Sequence, residues 1–266
     1  MHVPASAEAK IARGREHIEA VDVAITAFLD AMPYSLDRRL KSEGRVHEYV
    51  MTQYTEPPEY IGLLVGDAVH NLRSALDHIV FSLAVEGAKA AGQKLTKKEA
   101  RTLQYPICDS PGDFRERVSK GCLLHVDPFA QEIIELYQPY HLQPRNPERS
   151  VPGCLRDLDN TDKHRTIATV SNIVHWDAYS LPPGVERPKS EYPRSEWQPG
   201  SVLARYTFTH PHPELNLDYD PNYSLAIDEA WPPTSRASDV LEIYAGWIES
   251  FITEQLEHGP LPVHDV

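Results

Sequence analysis

Residues 66–80 carry the densest set of side chains in this chain that could do chemistry. They read GDAVHNLRSALDHIV, which places two histidines, two aspartates, an asparagine, a serine and an arginine among apolar residues at helical spacing. An α-helix turns about 100° per residue, so one side of this helix carries a line of short polar side chains, namely Asp67, Asn71, Ser74 and His78. The stretch lacks the Glu, Lys and Gln that are typical of a solvated helix face. The pattern therefore predicts contact with another polar surface, a ligand or a metal.

A second polar stretch over 157–166 reads DLDNTDKHRT and falls in a predicted helix over 152–170. Counting by helical angle places Asp162 beside Leu155 and Leu158 on the apolar side of that helix. A carboxylate on a buried face needs a partner, since an unpaired buried charge is costly. The candidate partners are His70, Arg73, Lys163 and Arg165. We therefore predict that the two helices pack with their polar faces together, and a core ion pair is the simplest role for Asp162.

The two motifs together resemble a known set of sequences. GDAVHNLRSALDH followed later by LDNTDKHR resembles a widespread set of uncharacterised bacterial and phage proteins. These share the first helix, a hairpin, the HNLRSALDH core, a YPI segment and an N-x-D-K-H-R element, and the resemblance covers residues 6–170. It implies that the two motif segments belong together, and it implies no activity.

The segment RSALDH, from Arg73 to His78, is similar to the R-x4-H pattern of the HEPN superfamily, helical-bundle proteins that are often metal-independent ribonucleases. In that family the Arg and the His of two protomers meet at a dimer interface. The resemblance implies that Arg73 stabilises charge on a phosphate and that His78 acts as general acid or base while a ribose 2′-hydroxyl attacks its own phosphodiester. It also implies RNA as a partner, a homodimer and a role in phage or plasmid defence.

Further polar residues of the two stretches surround this pair in the predicted site. We expect them to support Arg73 and His78 or to bind substrate. They are Asp67, His70, Asn71, Ser74, Asp77, Asn160, Asp162, Lys163, His164 and Arg165.

Two other functions fit the same side chains. A metal-dependent hydrolase could draw nitrogen and oxygen ligands from His70, His78, His164, Asp67 and Asp162, although no HxxxH or ExxH pattern is present. A non-catalytic binding or interaction protein could use the same polar groups to hold its helices in register. Our first choice is the ribonuclease, with no cofactor and no bound metal.

Helices dominate the elements that must position these residues. Apolar periodicity and end signals predict a helix that begins after Asp127 and others over 6–31, 58–90, 114–119, 152–170 and 238–257. Two extended runs around the turn SEG predict a β-hairpin within 34–54. SVLARYTF and NYSLAID are predicted to be partner strands, and the proline-rich residues 181–200 are predicted to be a loop.

These elements predict an α+β fold that is mainly α. It is a helical bundle with an inserted β-hairpin and a small C-terminal antiparallel β element. We expect a single domain over 1–266, with a helical core over 6–170 and 238–257 and a β and loop decoration over 34–54 and 171–237.

Composition limits the function classes. No apolar run is long enough to span a bilayer, and the first residues lack the apolar stretch of a secretory signal, so we expect a cytoplasmic protein without a membrane partner. Three cysteines without a CxxC pair indicate reduced thiols. The net charge of −13 argues against a general nucleic-acid coat and leaves room for a nuclease with one local basic pocket.

Overall fold

The computed structural model describes residues 4–174, 181–193, 197–217, 219, 221–228, 230–232 and 235–251. In these ranges the α-helices are α1 (Ala5–Asp30), α2 (Glu59–Ala90), α3 (Lys97–Ala100), α4 (Pro111–Ser119), α5 (Pro128–Leu136), α6 (Pro139–Leu142), α7 (Val151–Asp162) and α8 (Ala237–Ser250). The strands are β1 (Tyr34–Lys41), β2 (Val46–Tyr54), β3 (Thr169–Val174), β4 (Lys189–Glu191), β5 (Val202–Thr207) and β6 (Asn222–Ile227). Short 3-10 helices cover Ser42–Gly44 and Pro147–Arg149.

The chain divides into two compact units. The helical unit comprises residues 1–23, 59–169 and 226–266, and the sheet unit comprises 24–58 and 170–225. That the whole chain is a single domain stays a prediction.

The long helix α2 runs through the core of the helical unit. The apolar residues that recur at helical spacing along α2 form an arc in which every member is buried: Ile61, Val65, Ala68, Leu72, Ala75, Leu76, Ile79 and Leu83. Burying large aliphatic side chains such as these contributes about 1.5–3 kcal/mol each. The arc therefore fixes which side of α2 faces inward and which side carries the polar line.

Two glycines of α2 allow the chain around α7 to approach closely. A Cβ atom on Gly66 would lie 1.9 Å from Oδ1 of Asp162, and one on Gly62 would lie 2.1 Å from the carbonyl oxygen of Ile167. Both separations are far below van der Waals contact, so a side chain at either position would force its neighbour to move. The two glycines set the spacing between α2 and the segment that ends α7.

Helix α7 is shorter than the predicted helix over 152–170. The Ser150 side chain caps its first turn by accepting a hydrogen bond of 3.1 Å from the Gly153 amide. The helix ends at Asp162, and β3 begins at Thr169. The β-branched residues after the helix favour extended backbone, so the helical spacing of apolar residues alone overestimates the length of this helix.

The predicted hairpin is confirmed as β1 and β2. The strands are antiparallel, with Lys41 opposite Val46 and Tyr34 opposite Tyr54. The 3-10 turn between them has positive φ at three consecutive residues, Ser42 (51°), Glu43 (60°) and Gly44 (87°).

The prediction of a helical bundle with a hairpin as decoration is wrong. The hairpin is half of a four-stranded sheet in the order β1-β2-β5-β4, in which β5 pairs with β2 and β4 pairs with β5. The predicted pairing of SVLARYTF with NYSLAID is also wrong, because β6 pairs with β3. A period of two identifies a strand but not its partner, since the main-chain bonding groups are the same in every strand.

The sheet unit has its own apolar core. It is formed by side chains of β2, β5 and the chain after β5, namely Tyr49, Ala204, Tyr206, Phe208 and Leu217. The predicted loop over 181–200 contains the short strand β4. The sequence did not predict this strand, because the prolines around it favour a loop. In the helical unit, the part of the predicted last helix beyond Phe251 lies outside the described residues.

Candidate functional site

Arg73 lies inside the helical unit, where it joins α2 to the YPI segment. Its side chain is 8% exposed. Nη1 donates to Oδ1 of Asp77 at 2.7 Å, and Nη2 donates to the carbonyl oxygen of Tyr105 at 2.9 Å. Oδ1 of Asp77 also accepts from the Tyr105 amide at 2.8 Å. The three residues form a closed polar network, so Arg73 holds two elements together.

This network corrects one pairing that the sequence analysis considered. Arg73 is a candidate partner for Asp162, but the structure gives its guanidinium to Asp77 and Tyr105. Both partners satisfy the charge and the donors of a group that is costly to bury alone.

The polar sides of α2 and α7 meet through other residues. Nδ1 of His70 on α2 lies 3.5 Å from Oδ1 of Asp159 on α7. Asp159 is 7% exposed, and its Oδ2 lies 2.6 Å from Nζ of Lys163. We name the polar surface formed by Asp67, His70, Asp159, Asp162 and Lys163 the α2–α7 seam. The prediction that the two motif stretches lie together is confirmed in this form.

Asp162 lies at the end of α7 against Gly66. Burial raises the pKa of its carboxyl group, and the negative charges of Asp67 and Asp159 raise it further. The cationic groups of His70 and Lys163 act in the opposite direction. Asp162 therefore keeps its proton to a higher pH than an ordinary aspartate does.

Helix α1 supplies further polar groups to the seam. Nζ of Lys10 donates to Oδ1 of Asn71 at 3.1 Å, and Nδ1 of His17 lies 3.9 Å from Oδ2 of Asp67. The Asn71 amide nitrogen donates to the carbonyl oxygen of Asp67 at 2.8 Å. The seam is thus bordered by two cationic or titratable side chains of α1.

Three residues of this arrangement, namely Lys10, His17 and Asp159, are not among the site residues that the sequence predicts. A signal existed for Asp159, because it lies four residues after Leu155 and so shares the apolar side of α7. No signal in the sequence pointed to Lys10 and His17, since their contacts depend on how α1 crosses α2.

The remaining predicted site residues lie around the seam or beyond it. Ser74 and His78 are half-buried on α2, and Asn160, His164 and Arg165 are exposed. His78 is five residues from Arg73 on the same helix, so the two side chains leave α2 in different directions. The structure does not bring Arg73 and His78 to one point on this chain.

The described residues hold no group of three or more His, Cys, Asp or Glu side chains arranged to bind a metal ion. The ligand set that the metal-dependent hydrolase requires is therefore not assembled in the described part of the chain. Among the same described residues, no helix is both long enough and apolar enough to cross a bilayer.

Comparisons of the chain with protein-family models, with curated proteins and with solved structures gave no match. The resemblances to the bacterial and phage proteins and to the HEPN superfamily therefore stay predictions. A function for the chain has to be inferred from the geometry of the α2–α7 seam.

Proposed function

We propose that the chain is a metal-independent endoribonuclease whose acid and base groups lie on the α2–α7 seam. The contact of His70 with the buried carboxylate of Asp159 carries this proposal. A carboxylate near one ring nitrogen orients the imidazole and leaves the other nitrogen free to act as a general base. The His70 side chain is 58% exposed, so RNA has access to the ring.

Three seam residues, His70, Asp162 and Lys163, have defined roles in the proposed reaction. Nε2 of His70 removes the proton from a ribose 2′-hydroxyl, whose oxygen then forms a bond to the adjacent phosphorus. The bond from phosphorus to the 5′-oxygen breaks, and the protonated form of Asp162, which its raised pKa makes more abundant than for an ordinary aspartate, gives its proton to that oxygen. The products are a 2′,3′-cyclic phosphate and a 5′-hydroxyl. The ammonium group of Lys163 offsets the charge that develops on the phosphate.

Arg73 acts as a positioning residue in this proposal. It fixes α2 against the YPI segment through Asp77 and Tyr105. This differs from the role that the HEPN resemblance implies, in which Arg73 and His78 act on the phosphate themselves. We place the activity in the cytoplasm, because the three cysteines are free and buried and the chemistry needs no oxidising compartment.

Incubation of the purified protein with end-labelled RNA in EDTA tests the proposal. We expect cleavage to cyclic phosphate ends, and a loss of about 100-fold or more in His70→Asn, the range for removal of a general base. His78→Asn is the informative comparison, because the seam mechanism predicts near wild-type cleavage and the HEPN assignment predicts its loss. His141→Asn, on the exposed surface of α6, is the matched control.

Two results would contradict the seam mechanism. If RNA stays intact with the wild-type protein, the proposed ribonuclease activity is contradicted. Equal cleavage by wild type and His70→Asn would remove the seam from the mechanism.

The buried Arg73 network favours a second candidate, a non-catalytic interaction protein. A charged side chain enclosed by two protein partners specifies how elements pack, which is the role of polar groups that hold helices in register. In this case RNA stays intact with all variants, while Arg73→Met and Asp159→Asn both lower the melting temperature.

A further inference from the structure

His47 is a fully buried histidine on β2 of the sheet unit. Its side chain has no exposed surface, and its ring packs on that of Phe208 with 5.3 Å between ring centroids. Nε2 lies 3.2 Å from the carbonyl oxygen of Gly44. Nδ1 is buried and makes no hydrogen bond within the described residues. A neutral ring satisfies this environment with one N–H group, whereas a protonated ring adds a positive charge and a second N–H group inside a fully buried pocket.

Residues close to His47 form hydrogen bonds with residues 208–217, a segment that we name the strap. The Phe208 amide donates to the Arg45 carbonyl at 2.8 Å, and the His212 amide donates to the Gly44 carbonyl at 2.9 Å. A Cβ atom on Gly44 would lie 2.8 Å from the nitrogen of Pro213, so this positive-φ glycine lets the turn and the strap touch. The first part of the strap is therefore fastened to the turn between β1 and β2, directly over His47.

The second part of the strap is fastened to the same sheet. The Arg38 guanidinium donates to the Leu215 carbonyl, and the Tyr49 hydroxyl donates to the Leu217 carbonyl at 3.0 Å. Phe208 and Leu217, at the two ends of the strap, belong to the buried core of the sheet unit. Opening the strap would therefore expose apolar surface of that core.

Two cationic or titratable groups face His47 from the elements around it, namely Arg38 from β1 and His212 from the strap. The carboxylate nearest to His47 in the sequence belongs to Glu48, which forms ion pairs with Lys41 and Arg205. A proton on His47 would thus add a positive charge beside positive neighbours, inside an apolar pocket.

We propose that His47 is a pH-sensitive latch, which holds the strap closed when neutral and releases it when protonated in mildly acidic conditions. Burial lowers the pKa of His47, Arg38 and His212 add to this, and main-chain groups of Gly44 and His212 oppose it. The closed strap therefore binds fewer protons than the open one. Its stability is full above the ordinary histidine pKa of about 6.5 and falls as pH drops from there towards the lowered pKa.

Amide hydrogen exchange of the full chain between pH 7.5 and pH 5.5 tests the latch. After correction for intrinsic exchange, we expect the protection of the Phe208 and His212 amides to fall by up to tenfold per pH unit below about 6.5. In His47→Gln, which keeps a donor for Gly44 and cannot take up a proton, the protection stays level with pH. His212→Asn is the matched control and retains the pH dependence.

Two outcomes overturn the latch. One is strap protection that is independent of pH in the wild type, and the other is the same loss in His47→Gln as in the wild type. If His47→Gln does not fold, NMR titration of the ring in the wild-type protein decides the matter, because a His47 pKa at or above 6.5 contradicts the proposal.

Discussion

At the scale of single residues, Arg73 is a charged side chain in a buried environment. Its guanidinium is buried and shares its donors between a carboxylate on its own helix and a main-chain carbonyl of the YPI segment. Asp77 is bound by Arg73 and by the Tyr105 amide at the same oxygen. Removing Arg73 would leave a partly buried carboxylate and a buried carbonyl without their partner.

We predict that Arg73→Met lowers the free energy of unfolding by about 1–3 kcal/mol, the range for leaving a buried hydrogen-bonding group without its partner. Urea denaturation followed by circular dichroism measures this. Arg13→Met is the control, since Arg13 forms an exposed pair with Glu16 that is worth at most about 1 kcal/mol. Equal losses in the two variants would show that the Arg73 network does not stabilise the fold.

Asp162 provides a second prediction, in which removing the charge stabilises the protein instead of destabilising it. Because its pKa is raised in the folded state, the charged carboxylate opposes folding once the pH exceeds the ordinary aspartate pKa of about 3.9. We expect Asp162→Asn to raise the melting temperature at pH 7 and to change it little at pH 4.

The control for Asp162 is Asp157→Asn. Asp157 binds the Arg156 guanidinium at 2.7 and 3.2 Å, so its removal should lower the melting temperature at pH 7. A lower melting temperature for both variants would mean that the charge of Asp162 supports the fold.

Among the elements, the packing of α2 against the end of α7 is the contact that forms the seam. It depends on Gly66, because any side chain there would overlap Asp162. The helix tolerates this glycine although glycine costs about 1 kcal/mol in a helix interior.

We predict that Gly66→Ala destabilises the protein by about 1–3 kcal/mol, since an added methyl group in a filled space displaces its neighbours. Gly246→Ala on α8 is the matched control. A Cβ atom there meets nothing within 4 Å, so the alanine should stabilise the protein by up to about 1 kcal/mol. Thermal melts of both variants decide between these signs, and a stable Gly66→Ala would contradict the close approach.

For the whole molecule, the HEPN resemblance predicts a homodimer. Light scattering coupled to gel filtration should then give a mass twice that of the 30.1 kDa chain. A single peak at the chain mass across a range of concentrations would contradict a dimer, and it would also remove the HEPN arrangement in which two protomers share one site.

Much of the secondary structure could be predicted from the sequence, because periodicity is a local property. The stripe from Ile61 to Leu83 identified the inner face of α2, and the turn around Gly44 identified the hairpin. The pairing of strands that lie far apart in the sequence could not be predicted from periodicity. β5 was recognised as a strand, but its place between β2 and β4 depends on contacts far apart in sequence.

For the candidate site, angular counting along the sequence is enough to assign the polar side of α2, since side chains three or four residues apart share a face. The expectation that residues 157–166 lie against this side comes from the partner that a carboxylate on an apolar face requires. Which polar groups meet is set by the tertiary structure. It enclosed Arg73 with Asp77 and Tyr105 and brought Asp159 to His70, because the neighbour of a helix face is set by packing between elements.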